Sequence, residues 1–520
     1  MPKLLPLICC LILSACSDTV NDVVATSSEA GDDMTIAWYD GTVDSAFELA
    51  RVSEKPLFLY WGAVWCPPCQ EIKNTVFKSP QFVARSKLFV PVYLDGDIDD
   101  TQAIGERFGV QGYPTMIVFS PMGEEVTRIP GGIDISRYNS VLATSLDAMR
   151  PTSMLVKLAL ESPESLQESD YPQLAWYSWS QDFTAVPENV DKAELFEILA
   201  GLAEDHHPEA SARLYMQSLL ARVGSMETSE TAIQGQSTGA FERVSRILSN
   251  PALILACWDS VAYNSENILS LGIFSDQEKA TLKPVWAESV FSSRSHPSLS
   301  TAEQLAGWLP RLQLHFADGL SDPIPAEWTK QLHPELQSAD DMTRNVDARQ
   351  SVISQISYIY RKANLMDNAR TLLLAELDKS SSPYYFMSSL SLLAEEADNV
   401  EEAIDWSRKA FESSSGAATR FQWGASYVRT LIRLSPDDSD TIMAVSMNLF
   451  DVLQDGHEVF AGRNFNVLST LQTALTDWQI AALVDFEQFN DNLQQLCDTQ
   501  VPESTAAENC HSLLNAEQSS

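Results

Sequence analysis

Cys66 and Cys69, in Trp65-Cys66-Pro67-Pro68-Cys69, are the side chains best placed to do chemistry, and they follow the apolar run Leu57-Phe58-Leu59-Tyr60-Trp61. Two thiols at this spacing suit thiol–disulfide exchange. A cysteine at a helix N-terminus meets unpaired backbone amides and the positive end of the helix dipole, which favour its thiolate. Cys66 is therefore expected to be an accessible nucleophile. Cys69, one turn inward, is expected to resolve the mixed disulfide. Pro67 suits the first helical position, where a missing N–H costs nothing. The two prolines offer no N–H to the Cys66 sulfur and no histidine lies between the cysteines, so the thiolate is weakly stabilised and the couple leans reducing. A reductase or thiol carrier is expected rather than an oxidase. A structural zinc needs four ligands, and His206-His207 and Cys510-His511 are distant in sequence. No metal and no cofactor is assigned.

The surrounding pattern alternates strand and helix. Ala46 to Val52 reads as an amphipathic helix and Leu57 to Trp61 as a strand buried on both faces. Pro67 to Phe77 reads as a helix, Phe89 to Leu94 as a second central strand, and Thr101 to Phe108 as another helix. Met116 to Ser120 and Glu125 to Ile129 form a strand pair across the turn Pro121-Met122-Gly123. Ser136 is expected to cap a final helix running towards Met149.

This order of elements, with Trp-Cys-x-x-Cys after the first central strand and Gly112-Tyr113-Pro114-Thr115 further on, resembles a thioredoxin domain. The resemblance covers residues 36–150. It implies an α/β thioredoxin fold with a central mixed sheet flanked by helices, a redox disulfide between Cys66 and Cys69, and a cis-proline at Pro114 packed against it. The substrate-binding residues would be Trp65, Tyr113 and Pro114. The Tyr113 backbone would pair with an extended substrate strand, and Trp65 would be an apolar platform or a packing residue. One departure is Tyr60, where thioredoxins usually carry a buried acid. Glu48 and Glu71 are then either proton-handling groups or solvated surface residues. Lys55-Pro56-Leu57 looks closer to periplasmic thioredoxin-like domains, including the reducing domain of membrane thiol-disulfide interchange proteins.

The N-terminus bears on the compartment. After Lys3, the apolar run Leu4 to Leu13 has the length of a secretory signal core. It ends in Leu13-Ser14-Ala15-Cys16, which resembles a bacterial lipobox with Cys16 as the lipidated residue; an ordinary secretory signal is the alternative. Residues 1–15 are read as the signal peptide and residues 16–35, rich in Ser, Thr, Asp and Asn, as a flexible tether. Ser17 rather than Asp points to an outer-membrane lipoprotein facing the periplasm, not an inner-membrane one. In that compartment disulfides persist. Cys497 and Cys510 then either form a structural bridge or remain free, and Cys257 reads as a buried core thiol. The net charge of −37 argues against nucleic acid as a partner, because a polyanion repels it.

Past Pro151 the texture changes to apolar residues at three- and four-residue spacing, as in Ile353-Ile356-Tyr360, which predicts an all-α region over 151–520. Ala369 and Ala403 lie 34 residues apart near Asp367-Asn368 and Asp398-Asn399. That period resembles tetratricopeptide repeats, with generic helical hairpins as the alternative. Two functions fit. One is a lipid-anchored thiol–disulfide oxidoreductase acting on protein thiols or disulfides, served by a membrane or periplasmic electron donor. The other is an interaction or assembly lipoprotein whose thioredoxin domain is a docking module and whose helices bind partners.

Overall fold

The computed structural model describes residues 35–516 apart from 99–100, 132–134, 183–184, 188, 229–238, 318–322, 455–458, 483–486 and 502–503. The expected signal peptide, Cys16 and nearly all of the tether lie outside the described residues. Four strands form one mixed sheet: β1 Leu57–Gly62, β2 Val90–Asp95, β3 Thr115–Phe119 and β4 Glu125–Ile129. Their order is β2-β1-β3-β4, with β1 parallel to β2 and antiparallel to β3, and β3 antiparallel to β4. Tyr60 thereby lies between Tyr93 on β2 and Met116 on β3.

Alternation along β1 sends its side chains to two different cores. Phe58 and Tyr60 join Phe77, Phe82 and Tyr138 on one face. Leu57, Leu59 and Trp61 join Val90, Val92 and Ile117 on the other. All six β1 residues are buried, as an apolar run covered on both faces requires. Helix α1, Val43–Ser53, starts at Thr42, whose side chain accepts from the Ser45 N–H, and closes on Glu54 in the left-handed region. Helix α2, Pro67–Asn74, is shorter than expected, because the chain breaks at Thr75 and continues as a 3-10 turn over Val76–Lys78. Helix α3, Pro80–Arg85, was not foreseen, although Ser79 and Pro80 supply its cap and first residue. Helices α4, Thr101–Arg107, and α5, Ile135–Ala148, complete the domain. Ser136 lies inside α5 rather than ahead of it.

The helical region starts at once, with Thr152–Glu161 following Pro151. It closes the sheet edge at β4: the Ser178 N–H donates to the Arg128 carbonyl at 3.0 Å, and Gln173 Nε2 and Thr152 Oγ1 each donate to the Val126 carbonyl at 3.1 Å. An edge paired in this way offers no free ladder to another chain. Among the described residues beyond Pro151 the regular elements are helical.

Two hairpins in this region match about their turns at an offset of 34 residues. Helices Val346–Lys362 and Met366–Glu376 turn through Asn364, and helices Pro383–Glu396 and Val400–Ser413 turn through Asp398, both residues at positive φ. Asn364 and Asp398 are 34 residues apart, as are the fully buried Ala369 and Ala403. The two Asp-Asn pairs are not equivalent, however: Asp398-Asn399 precedes its helix while Asp367-Asn368 lies within one. Residues Ile36–Ser520 form one compact unit, in which α2 packs on helix Val346–Lys362 and α4 on helix Gly462–Ala482.

Candidate active site

Cys66 is the N-cap of α2 and is disulfide-bonded to Cys69, with Cα atoms 5.2 Å apart. Of the first-turn amides, Pro67 and Pro68 have none, and the Cys69 N–H donates to Cys66 Sγ at 3.2 Å. The sulfur is therefore not without a backbone donor, as the dipeptide alone suggested; the third helical residue supplies one. Behind the pair, Tyr60 OH donates to the Cys69 carbonyl at 3.4 Å. Burial pushes the Tyr60 phenol well above its usual range, reinforced by Tyr93 and Asp95, so it stays a neutral donor there. Glu48 pairs with Arg51 on the exposed side of α1. Glu71 accepts from Ser351 Oγ at 2.7 Å. Neither carboxylate is hydrogen-bonded to the cysteines, and Glu71 faces the helical region rather than open solvent.

Tyr113-Pro114 is the cis peptide of the described chain. Gln181 Nε2 donates to the Pro114 carbonyl at 3.0 Å and Gln181 Oε1 accepts from Thr115 Oγ1 at 2.9 Å, which fixes the loop from outside the sheet. Gly131 approaches closely enough that a Cβ there would come within 2.8 Å of Pro114 Cγ and 3.0 Å of Ile72 Cδ1. The Tyr113 hydroxyl accepts from Gln102 Nε2 at 2.9 Å, and its ring lies 5.0 Å below the Arg463 guanidinium.

The expectation of an accessible nucleophile is not met. Cys66 is 3% exposed, Cys69 0% and Trp65 6%. With Ala63 they belong to a hydrophobic cluster whose other buried members, from Tyr384 to Leu513, all come from the helical region. Trp65 is the centre of the contact. Its indole N–H donates to Asp97 Oδ2 and to Thr419 Oγ1, each at 3.0 Å, and Thr419 Oγ1 in turn donates to Asp97. Tyr385 stacks on the indole at 6.4 Å, Trp423 meets it edge-on at 6.3 Å, and the Arg463 guanidinium lies 4.7 Å from its ring. Gln350 Nε2 donates to the Trp65 carbonyl at 3.1 Å. Trp65 is thus a packed contact residue and not a free platform.

Enclosure shifts the charged groups. Burial pushes the Asp97 carboxyl up, opposed by the hydrogen bonds from Thr419 and Trp65 and by the charge of Arg463. Burial likewise pulls the Arg463 guanidinium down, while Tyr113 and Asp97 hold it up. Asp97, Gln350, Tyr385, Thr419, Trp423 and Arg463 went unrecognised in the sequence, and no motif or spacing there links them to the cysteines. Within the same hydrophobic cluster Cys497 and Cys510 are joined, with Cα atoms 5.6 Å apart, and Cys257, outside it, is a buried free thiol whose ionisation burial opposes. Among the described residues no group of three or more His, Cys, Asp or Glu is arranged to hold a metal, and no helix is long and apolar enough to cross a membrane.

The fold and the cysteine pair define a thioredoxin-like domain, and residues 43–145 match the family model of that description. Over 84 residues, 16% of this chain, the sequence is 33% identical to Thioredoxin H4 of Arabidopsis thaliana, of which it covers 65%. It is 30% identical over 91 residues to Protein disulfide-isomerase erp38 of Neurospora crassa, covering 18% of this chain and 24% of that protein. It is 29% identical over 84 residues to Thiol:disulfide interchange protein DsbD of Haemophilus influenzae, covering 15% of this chain and 14% of that one. The chain therefore spans less than two thirds of the length of each of these relatives, and each match covers under a fifth of this chain.

Proposed function

We propose that this protein is a thiol–disulfide oxidoreductase, working as a reductase or thiol carrier, with Cys66 as nucleophile and Cys69 as resolving cysteine. The observation that carries the oxidoreductase reading is the Cys66–Cys69 pair at the α2 N-terminus; the reducing direction rests on Pro67 and Pro68 offering no N–H, and the Cys69 N–H on Cys66 Sγ works against it. In the reducing direction the Cys66 thiolate attacks one sulfur of a substrate disulfide and expels the other as a thiol. Cys69 then attacks Cys66, releases the second substrate thiol and closes the disulfide, so two electrons pass from the protein to the substrate. A dithiol donor restores the pair. The Tyr113 backbone beside Pro114 would hold the substrate strand. Because Cys66 is enclosed, turnover includes a step that parts the helical region from Trp65.

In this reading residues 1–15 are a signal peptide, Cys16 carries the lipid, residues 16–35 tether the body to the periplasmic face of the outer membrane, and residues 151–520 are an all-α region with tetratricopeptide-like hairpins that recruits partners. The test is reduction of insulin by the chain with dithiothreitol as donor, compared with Cys66→Ser: the variant is expected to be inactive, and equal rates end the enzyme reading. The burial of Cys66 favours a second reading, in which the domain is a docking module for the helices; it predicts no turnover in either protein.

A further inference from the structure

A cavity of about 490 Å³ lies where α2 meets the helical region, and Pro67, the residue next to Cys66, lines it together with Pro68, Glu71 and Gly131. Across it stand Tyr358, Tyr385 and Leu392 from the helices. Tyr385 borders this space and also stacks on the Trp65 indole, so the cavity adjoins the ring next to the dithiol and the residue that follows Cys66. One wall carries an orphan donor: Gln355 Oε1 accepts from Tyr263 OH at 3.1 Å, while its buried Nε2 has no hydrogen-bond partner. A buried amide donor left unpaired is costly and points to an acceptor supplied by a ligand. Charge in the walls is lopsided, with Glu71, Asp259 and Glu303 against Arg361. Arg213 pairs with Asp259 and Glu396 with Arg361, whereas Glu71 has the neutral Ser351 as its hydrogen-bond partner.

We propose that this cavity is the specificity site of the dithiol and takes a short unfolded peptide segment flanking the substrate cysteine, apolar or basic in side chain, with a peptide carbonyl accepting from Gln355 Nε2. The proposal rests on the oxidoreductase reading and adds the substrate class to it. A volume in the range of about 300–1,000 Å³ typical of ligand clefts encloses a short peptide segment but not a folded surface. Aromatic and aliphatic walls favour apolar residues. Glu71, whose hydrogen-bond partner is the neutral Ser351, favours basic ones and repels acidic peptides and the anionic glutathione disulfide.

The experiment uses the full chain, dithiothreitol as donor, and two synthetic cysteine peptides each joined by a disulfide to the chromogenic thiol 5-thio-2-nitrobenzoate, one flanked by Leu and Lys and the other by Asp and Glu, with oxidised glutathione as a third probe. Attack of the Cys66 thiolate on the peptide sulfur breaks the disulfide and releases the coloured thiolate; Cys69 then frees the peptide thiol. The expected kcat/KM for the Leu–Lys peptide exceeds that for the Asp–Glu peptide and for glutathione by about tenfold or more. Gln355→Leu is expected to raise KM for the Leu–Lys peptide several-fold with little change in kcat, and Glu71→Gln to narrow the preference between the two peptides. Equal kcat/KM for all three probes, or unchanged kinetics in both variants, overturns the proposal while leaving the oxidoreductase reading intact. If dithiothreitol leaves the Cys66–Cys69 disulfide intact by mass spectrometry and no probe is turned over, the oxidoreductase reading itself has failed.

Discussion

The Trp65 indole N–H donates to Thr419 Oγ1 at 3.0 Å, joining two residues 354 positions apart and fastening the helical region over the cysteine pair. Thr419 is almost fully buried and donates to Asp97, so its hydroxyl adds a second partner to an indole N–H and a carboxylate that also bond each other directly. A thioredoxin-like site is in this way built into an interface, and closure of that interface is set by a small number of polar contacts amid aromatic packing.

Thr419→Val keeps the shape and removes the hydroxyl. A loss of about 1–3 kcal/mol is expected from the buried Asp97 oxygen left without its donor, read as a lower urea midpoint. Where opening precedes reaction, each 1.4 kcal/mol of lost closure speeds labelling about tenfold. Iodoacetamide should therefore modify reduced Cys66 faster in the variant than in the parent chain. Identical labelling rates would mean that this contact does not hold the site shut.

Asp97 makes the closure sensitive to pH. Its carboxyl is pushed up chiefly by burial, so the folded chain keeps a proton that the unfolded chain releases near pH 3.9. Stability then falls as pH rises from the unfolded value through the raised folded one, because the folded state binds more protons over that window. Below it the burial penalty is absent. The stability of Asp97→Asn relative to the parent should accordingly improve between about pH 4 and pH 7, measured by urea unfolding at both. A constant difference would remove Asp97 from the titrating groups.

Gly462 precedes Arg463 at φ +50°, and a Cβ there would lie 2.9 Å from the backbone oxygen of Gln102. Both the left-handed conformation and the clash penalise a side chain, so Gly462→Ala should cost about 1–2 kcal/mol or more. Gly201→Ala, inside the helix Lys192–Ala203 with nothing within 4 Å of its Cβ, should instead stabilise by about 0.5–1 kcal/mol. Paired thermal melts would show the two shifts in opposite directions.

The Cys497–Cys510 disulfide closes a loop between the helices Glu487–Asp498 and Thr505–Ala516. Replacing both cysteines by Ala should lower stability by about 3 kcal/mol, the loop-closure entropy of a bridge of this span. Faster amide exchange confined to those two helices is the expected signature. Chain isolated from its native compartment should carry the bridge if that compartment is the oxidising envelope, and free thiols there would count against an envelope location.

Much of the thioredoxin-like domain is legible in the sequence. Leu57 to Trp61 has to be a central strand because an unbroken apolar run is stable only when covered on both faces, and Ala369 and Ala403 mark two equivalent buried helix positions. Local signals mislead where two rules compete. Thr75 ends α2 early although the pattern continues to Phe77, and Asp367-Asn368 resembles a helix start while sitting inside Met366–Glu376. The prolines after Cys66 remove two amides from consideration, yet the Cys69 N–H turns onto the sulfur because the helix has already formed by its third residue.

Residue types and spacing alone were enough to single out the cysteine pair, the strand behind it and the helical character of the chain beyond Pro151, since each is written in neighbours a few positions apart. Whether Cys66 meets solvent was decided by tertiary structure, through Gln350, Tyr385, Thr419, Trp423 and Arg463. Their approach to Trp65 depends on how successive helices stack over hundreds of residues, and contacts at that separation leave no period in the chain to be read.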